Sequence, residues 1–147
     1  MTSPGTGTGI TLQLKRTFAA PRERVFRAWT DPAGLQQWFA PTDEYTAVVE
    51  VDLRVGGTYR IEMLSPKGNR YCVRGTYREI KPPEKLVYTW SWENEPEMGN
   101  TLVTVEFHDR GGATEVILTQ EFFPTEKARE EHNKGWSGCL DRLAKIL

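Results

Sequence analysis

The region of about eighty residues after Pro41 constrains the fold most, because its apolar residues repeat at every second position. This period is typical of half-buried β-strands, and turn signals divide the region into six alternating segments. The dividing segments are Gly56-Gly57, Pro66-Lys67-Gly68-Asn69, Pro82-Pro83, the acidic loop 93–97 and Gly111-Gly112. Short connections of this kind favour hairpins, so the region predicts one antiparallel sheet.

Shorter elements precede the sheet region. Apolar alternation over residues 10–18 predicts a first strand. A proline in the first turn then predicts a short helix over residues 21–29. The pair Asp31-Pro32, an N-cap residue followed by proline at the first helical position, predicts a second helix that ends near Gln37.

Two positions inside the predicted strands carry specific expectations. Gly75 lies in the interior of the strand over residues 70–80, which indicates a bulge, a sharp bend or a close backbone approach. In the last strand, Val116, Leu118 and Phe122 share one parity, so we expect all three on the same face.

The last 24 residues return to a helical period. Pro124-Thr125 predicts the start of this helix, with Thr125 or a neighbour as the N-cap. Its apolar face carries His132, Trp136, Cys139, Leu140, Leu143 and Leu147. Glycine costs about 1 kcal/mol relative to alanine inside a helix, so Gly135 and Gly138 need a compensating reason. Close packing and room beside Trp136 both remain open as that reason.

The element order is therefore one strand, two short helices, six strands and one long helix. This order predicts an α+β fold in which helices cover one face of a single antiparallel sheet. The chain has 147 residues, which leaves no room for a second full domain. We expect residues 10–147 to form the domain, whereas residues 1–9 have the composition of a flexible tail.

Charge and composition argue against several classes of function. The chain has 19 Lys plus Arg against 20 Asp plus Glu, which is no surplus for nonspecific nucleic-acid binding. It contains neither a signal-like apolar segment nor a membrane-length one, so we expect a cytoplasmic protein without membrane insertion. Cys72 and Cys139 lack CxxC spacing and are expected as buried thiols. The two His and two Cys residues do not have the sequence spacing of metal ligands, so no metal is predicted. No cofactor is predicted either.

Several segments, taken in chain order, match one known family over residues 10–147. They are Phe18-Ala19-Ala20-Pro21, Leu35 with Trp38, the run 52–57, Gly75 with Pro82-Pro83, the strand from Thr101 to Phe107, and Gly135-Trp136 with Leu140 and Leu143. The chain resembles the helix-grip fold of the START-like superfamily, also called SRPBCC. Within it, the chain is similar to the small bacterial proteins named for the activator of the ninety-kilodalton heat-shock chaperone's ATPase. This family name implies a link to the stress response.

The resemblance implies a curved sheet of about seven strands wrapped around the long C-terminal helix, with a ligand cavity between them. The chain has five Trp, five Tyr and six Phe, and an aromatic-lined cavity is one place for so many rings. A fully filled core is the alternative. By family analogy, Trp38 and Phe39 are expected near the cavity mouth, with Trp38 as the lip residue. The full set of predicted cavity residues is Trp38, Phe39, Tyr59, Ile61, Met63, Tyr88, Trp90, Trp92, Phe107, Leu118, His132, Trp136, Cys139 and Leu140.

These features predict a protein that binds a small hydrophobic or aromatic molecule, for sequestration, transport or detoxification. One alternative, implied by the family name, is a co-chaperone that stimulates a heat-shock chaperone ATPase. Another is a cyclase-like enzyme that uses Tyr88, His132 or Arg74 facing the cavity, although no catalytic residue is predicted outright. Ser137 is not a nucleophile of the G-x-S-x-G type, because Cys139 occupies the position of the second glycine. We expect a monomer or a weak homodimer.

Overall fold

A computed structural model describes residues 10–40 and 44–147. Its elements are β1 (Ile10–Phe18), α1 (Arg22–Thr30), α2 (Pro32–Trp38), β2 (Thr46–Val51), β3 (Thr58–Leu64), β4 (Arg70–Lys81), β5 (Lys85–Trp92), a 3-10 turn (Pro96–Met98), β6 (Thr101–Asp109), β7 (Thr114–Phe123) and α3 (Glu126–Ile146). This order confirms the predicted α+β helix-grip architecture. The tail predicted for residues 1–9 lies outside the described residues, so it stays a prediction, as does the domain boundary at residue 10.

The seven strands form one antiparallel sheet in the order β1-β7-β6-β5-β4-β3-β2. The strands from β2 to β7 follow one another as neighbours, as the short turns predict. β1 pairs with β7 at one edge, whereas β2 forms the opposite edge. The chain therefore crosses the width of the sheet between β1 and β2, and α1 and α2 carry it across.

Buried residues on the strands alternate as predicted. Tyr59, Ile61 and Met63 in β3 are all buried, and Val103, Val105 and Phe107 in β6 are nearly inaccessible. Helix α3 contributes its apolar face to the same core, and it lies against β1, β7 and α2. The core therefore forms between one face of the sheet and the three helices.

One parity prediction is wrong, and a bulge is the reason. Phe122 is half exposed with a φ of 73°, whereas Phe123 is fully buried. The pairing between β1 and β7 shifts at this point, because Ile10 pairs with Phe123 and Thr11 pairs with Glu121. The extra residue reverses the alternation, so Phe123 rather than Phe122 points into the core.

Gly75 permits a close approach between the side chain of β3 and the backbone of β5. A Cβ atom at this position would lie 1.8 Å from the Thr89 carbonyl oxygen and 2.8 Å from a ring carbon of Tyr59. The Tyr59 hydroxyl donates a hydrogen bond to the same Thr89 oxygen at 2.6 Å. Of the three expectations for Gly75, the close approach is the one that the structure shows.

The helix starts follow the predicted signals with small differences. Thr125 is the N-cap of α3, and its hydroxyl oxygen accepts a hydrogen bond from the Ala128 N–H at 3.1 Å. Asp31 occupies the N-cap position of α2, with Pro32 at the first helical position, but its side chain makes no capping hydrogen bond. In α1 the proline at position 21 is itself the N-cap, so this helix begins one residue later than predicted.

Candidate ligand-binding cavity

A cavity of about 440 Å³ lies between the sheet and α3. The sheet contributes residues from β3, β4 and β5, and α3 contributes residues from its second to fourth turns. The segments that follow α2 and β5 complete the wall. The lining residues are Phe39, Tyr45, Met63, Tyr71, Trp90, Trp92, Glu95, Glu131, His132, Lys134, Gly135, Trp136 and Cys139.

Trp90 is the central aromatic residue of the cavity wall. Its ring lies 5.1 Å from that of Trp136, 5.6 Å from that of Trp92 and 5.7 Å from that of Phe39. These distances are typical of tilted and edge-to-face ring contacts. Because the rings come from β5, α3 and the end of α2, the aromatic surface joins three separate elements.

The indole N–H groups of this cluster differ in whether they have a hydrogen-bond acceptor. Trp92 donates to the His132 ring at 2.8 Å, and Trp136 donates to the Gln120 side-chain oxygen at 2.9 Å. Trp90 is 3% exposed, and no atom of the described residues accepts a hydrogen bond from its Nε1. Trp90 therefore presents a buried donor without an acceptor, in a ring that lines the cavity.

His132 contributes a neutral imidazole to the wall. Its Nε2 accepts the hydrogen bond from Trp92, because an indole N–H can only donate. Its Nδ1 lies 2.7 Å from the Ala128 carbonyl oxygen, so the ring proton is on Nδ1. Burial lowers the pKa of His132 below its ordinary value, which favours the same neutral form. Both ring nitrogens are therefore occupied by protein partners.

Charged and polar residues surround the opening of the cavity. Glu95, Glu131 and Lys134 are exposed, and they line it together with the half-buried rings of Tyr45 and Tyr71. Among these three charged groups the carboxylates outnumber the ammonium. The cavity thus combines an apolar, aromatic interior with a polar rim, which is the usual form of a small-molecule site.

Gly135 leaves room at the cavity. A Cβ atom added there would meet nothing within 4 Å, although the residue lies inside a helix. Of the two reasons left open for this glycine, room in the cavity is the one that the structure supports. A methyl group at this position would therefore meet open space rather than a packed neighbour.

Seven predicted cavity residues line this cavity, and three others line a separate void. The seven are Phe39, Met63, Trp90, Trp92, His132, Trp136 and Cys139. The three are Tyr59, Ile61 and Tyr88, and their void has a volume of only about 10 Å³. A space of that size holds at most one water molecule. The ligand-sized space is therefore displaced from the middle of the sheet toward α3.

Trp38 does not form the lip. It is inaccessible to solvent, its indole N–H donates to the Ala28 carbonyl oxygen at 2.8 Å, and its ring packs edge-on against Trp29. The cavity position belongs to the next residue, Phe39. Three further predicted residues also pack in the core without lining the cavity: Phe107, Leu118 and Leu140.

Sequence reasoning missed several lining residues, and one of them had a readable signal. Tyr71 pairs directly with Met63 across the β3–β4 hairpin. Because the turn at 66–69 sets this register, predicting Met63 also predicts Tyr71 as its same-face neighbour. Glu95 and Tyr45 lie in irregular segments, where no period indicates which way a side chain points.

The three side chains considered for catalysis are not brought together. His132 lines the cavity, whereas Tyr88 lines the small void and accepts a hydrogen bond from the Trp29 indole at 3.3 Å. Burial also raises the pKa of Tyr88 above its ordinary value. Arg74 is exposed on the opposite face of the sheet, beside Arg60, and does not face the cavity. The expectation that Arg74 faces the cavity was wrong, because alternation along β4 turns it outward.

Both cysteines are buried free thiols. Cys139 lines the cavity, and burial raises its pKa to about 12. Within residues 10–40 and 44–147, no group of three His, Cys, Asp or Glu side chains is placed to hold a metal ion. Among the helices of the described chain, none is both long enough and apolar enough to cross a membrane.

Residues 19–147 match the family described as "Activator of Hsp90 ATPase homolog 1-like protein". The chain belongs to this family. It is also 27% identical over 126 residues to the human "Activator of 90 kDa heat shock protein ATPase homolog 1", which covers 85% of this chain and 33% of the human protein. The chain thus spans about one third of the length of that relative.

Solved structures of bacterial proteins share the fold. A protein from Chromobacterium violaceum is 31% identical with a TM-score of 0.85, over 94% of this chain and 97% of that one. A protein from Rhizobium leguminosarum is 30% identical with a TM-score of 0.80, over 92% and 91%. A family member from Silicibacter pomeroyi is 27% identical with a TM-score of 0.81, over 93% and 96%. These similarities support the helix-grip fold of the START-like superfamily.

Proposed function

We propose that this protein binds a small hydrophobic or aromatic molecule in the cavity between the sheet and α3. The observation that carries the proposal is a cavity of about 440 Å³, lined mainly by aromatic rings, beside a core whose residues are fully buried. Small-molecule sites typically have volumes of about 300–1,000 Å³. Such binding serves sequestration, transport or detoxification of the ligand.

Gly135 supports this proposal over a filled scaffold. A glycine in a helix interior lowers the stability of the helix by about 1 kcal/mol relative to alanine. No close neighbour repays that cost, because a Cβ atom there would meet nothing within 4 Å. Retaining open space at the expense of helix stability is expected of a site that must admit a ligand.

A cavity-filling variant tests the proposal. In Gly135→Phe the new ring projects into the cavity, and we expect the affinity for fluorene, an apolar aromatic probe, to fall by at least about tenfold. Binding is followed by quenching of tryptophan fluorescence, since Trp90, Trp92 and Trp136 line the cavity. The matched control is Ala144→Phe, which adds the same ring to an exposed position of the same helix.

Equal affinity of wild type and Gly135→Phe for fluorene would place the binding elsewhere and contradict the proposal. The absence of saturable binding to the wild type, across a panel of aromatic and lipid probes, would also contradict it. Native mass spectrometry of protein purified gently from its own host adds a measurement that needs no chosen probe. A copurified small molecule that is lost from Gly135→Phe but kept in Ala144→Phe supports the cavity.

Stimulation of a heat-shock chaperone ATPase is the second candidate function. It is favoured by the 27% identity to the human protein whose name states that activity. The chain matches only 33% of that protein, so the remaining two thirds of the human chain have no counterpart in the alignment. An ATPase assay with stoichiometric protein tests this function. Stimulation that is unchanged in Gly135→Phe would separate it from ligand binding.

We also propose a cytoplasmic location and a monomeric or weakly dimeric state. The buried free thiols of Cys72 and Cys139 are compatible with a reducing compartment. Light scattering coupled to size-exclusion chromatography tests the oligomeric state, and a stable higher oligomer would contradict the proposal.

A further inference from the structure

Four of the five tryptophans donate their indole N–H to an acceptor within the protein. The acceptors are the Tyr88 hydroxyl for Trp29, the Ala28 carbonyl for Trp38, the His132 ring for Trp92 and the Gln120 side chain for Trp136. The exception is Trp90, whose buried Nε1 has no acceptor among the described residues. Buried donors are nearly always paired, so an unpaired one requires an explanation.

Two polar side chains of the Trp90 surroundings, His132 and Gln120, are already engaged. Both ring nitrogens of His132 have protein partners, as described above. The Gln120 side-chain oxygen accepts from Trp136, and its amide nitrogen donates to the Thr101 hydroxyl at 2.8 Å. Neither side chain therefore accepts from Trp90, and a molecule that enters one of the two voids lined by Trp90 is a source of the missing acceptor.

We propose that the ligand supplies this acceptor as a carbonyl oxygen, and that its class is planar aromatic ketones or quinones. This inference rests on the proposed function, because Trp90 lines the cavity. It also requires a neighbouring side chain to move aside when the ligand binds, since the Nε1 atom itself is almost inaccessible. An indole N–H only donates, so a ligand atom that pairs with it must accept. A carbonyl meets that requirement without a formal charge.

Ring contacts and charge narrow the ligand class further. The rings of Phe39, Trp92 and Trp136 surround Trp90 at 5.1–5.7 Å, which favours a flat aromatic body. At the rim, Glu95 and Glu131 against Lys134 disfavour an anionic ligand such as a carboxylate. A carbonyl oxygen on an aromatic ring system satisfies both conditions, because it is a strong acceptor without a formal charge.

Fluorene and fluorenone test this proposal, because they share a ring framework and differ by one carbonyl group. We compare their dissociation constants in the wild type, in Trp90→Phe and in Trp38→Phe. In Trp90→Phe, which keeps a ring but removes the N–H, we expect the preference for fluorenone over fluorene to fall about fivefold relative to wild type. In the control Trp38→Phe we expect the wild-type preference, because Trp38 lines neither of the two voids and its N–H donates to the Ala28 carbonyl oxygen.

A second measurement does not depend on the folding of a variant. In two-dimensional proton–nitrogen NMR of the wild type, the Trp90 indole resonance is assigned through its contacts with Phe39 and Trp136. Saturating fluorenone should shift this proton downfield by forming a new hydrogen bond, whereas fluorene should not. Equal shifts with both compounds would overturn the proposal.

The outcomes separate this proposal from the proposed function. If both compounds bind and the preference is the same in wild type and Trp90→Phe, the carbonyl contact is refuted while cavity binding stands. A water molecule in the void of about 10 Å³ that Trp90 also lines would then be the remaining candidate for its partner. If neither compound binds the wild type, cavity binding of this class fails, and the carbonyl proposal fails with it.

Discussion

Replacing Gly135 by alanine should stabilise this protein, although most substitutions destabilise a folded chain. The added Cβ atom meets nothing within 4 Å, so it introduces no steric cost. Alanine is favoured over glycine by about 1 kcal/mol in a helix interior. We therefore expect the free energy of unfolding to rise by about 1 kcal/mol and the melting temperature to rise by about 3 °C.

The matched control is Gly75→Ala, which adds the same atom with the opposite expected effect. Its Cβ would lie 1.8 Å from the Thr89 carbonyl oxygen, and that oxygen already accepts the hydrogen bond from Tyr59. Relief requires β4 and β5 to separate, because the obstacle is backbone rather than a flexible side chain. We expect a loss of about 3 kcal/mol, at the upper end of overpacking costs.

Urea unfolding at neutral pH, followed by tryptophan fluorescence and by far-ultraviolet circular dichroism, measures both changes. The midpoint should move up for Gly135→Ala and down for Gly75→Ala, with the same dependence of free energy on urea. A lower midpoint for Gly135→Ala would refute the conclusion that this helix position faces open space. Fluorene affinity should fall slightly in Gly135→Ala and by at least about tenfold in Gly135→Phe, because one methyl group takes up less of the cavity than a ring.

Three further predictions concern pH, helix capping and the bulge. Burial lowers the pKa of His132 from its ordinary value of 6.5, so the unfolded chain binds this proton more readily. The free energy of unfolding should therefore have its highest value above pH 6.5 and decrease as the pH falls below 6.5. This step should be absent from His132→Gln in urea titrations across that range. Thr125→Ala removes the N-cap of α3 and should lower the free energy of unfolding by about 1 kcal/mol in the same assay. An unchanged free energy of unfolding would mean that the cap is dispensable. Phe122→Gly should be neutral or stabilise the fold by about 1 kcal/mol, because glycine adopts a positive φ without strain. Phe123→Ala should cost about 3–5 kcal/mol, because it removes a fully buried ring. The reverse order of stability in thermal unfolding would contradict the bulge.

Local patterns were sufficient for most of the fold. Alternation along the strands and turn residues between them predicted all seven strands, since side-chain direction in a strand depends only on neighbouring residues. The N-cap at Thr125 and the face of α3 that carries Trp136 and Cys139 are equally local. The bulge at Phe122 was not predicted, because alternation alone does not indicate where a strand gains an extra residue.

The cavity depended on longer-range packing. Tyr88 and Trp90 lie on one face of the same strand, yet only Trp90 lines the large cavity. Trp38 and Phe39 are adjacent, yet the first is core and the second is cavity wall. In each pair the difference comes from where α2 and α3 rest on the sheet, which is set by contacts between distant segments.

The sequence by itself determined which residues form strands and helices and which faces are apolar, because those properties follow from the period of the backbone. The tertiary structure alone decided where the packing stops short of filling the interior, which indole N–H is left without an acceptor and that Gly135 faces the open space. A void is the volume that remains after all elements have packed, so no single segment encodes it.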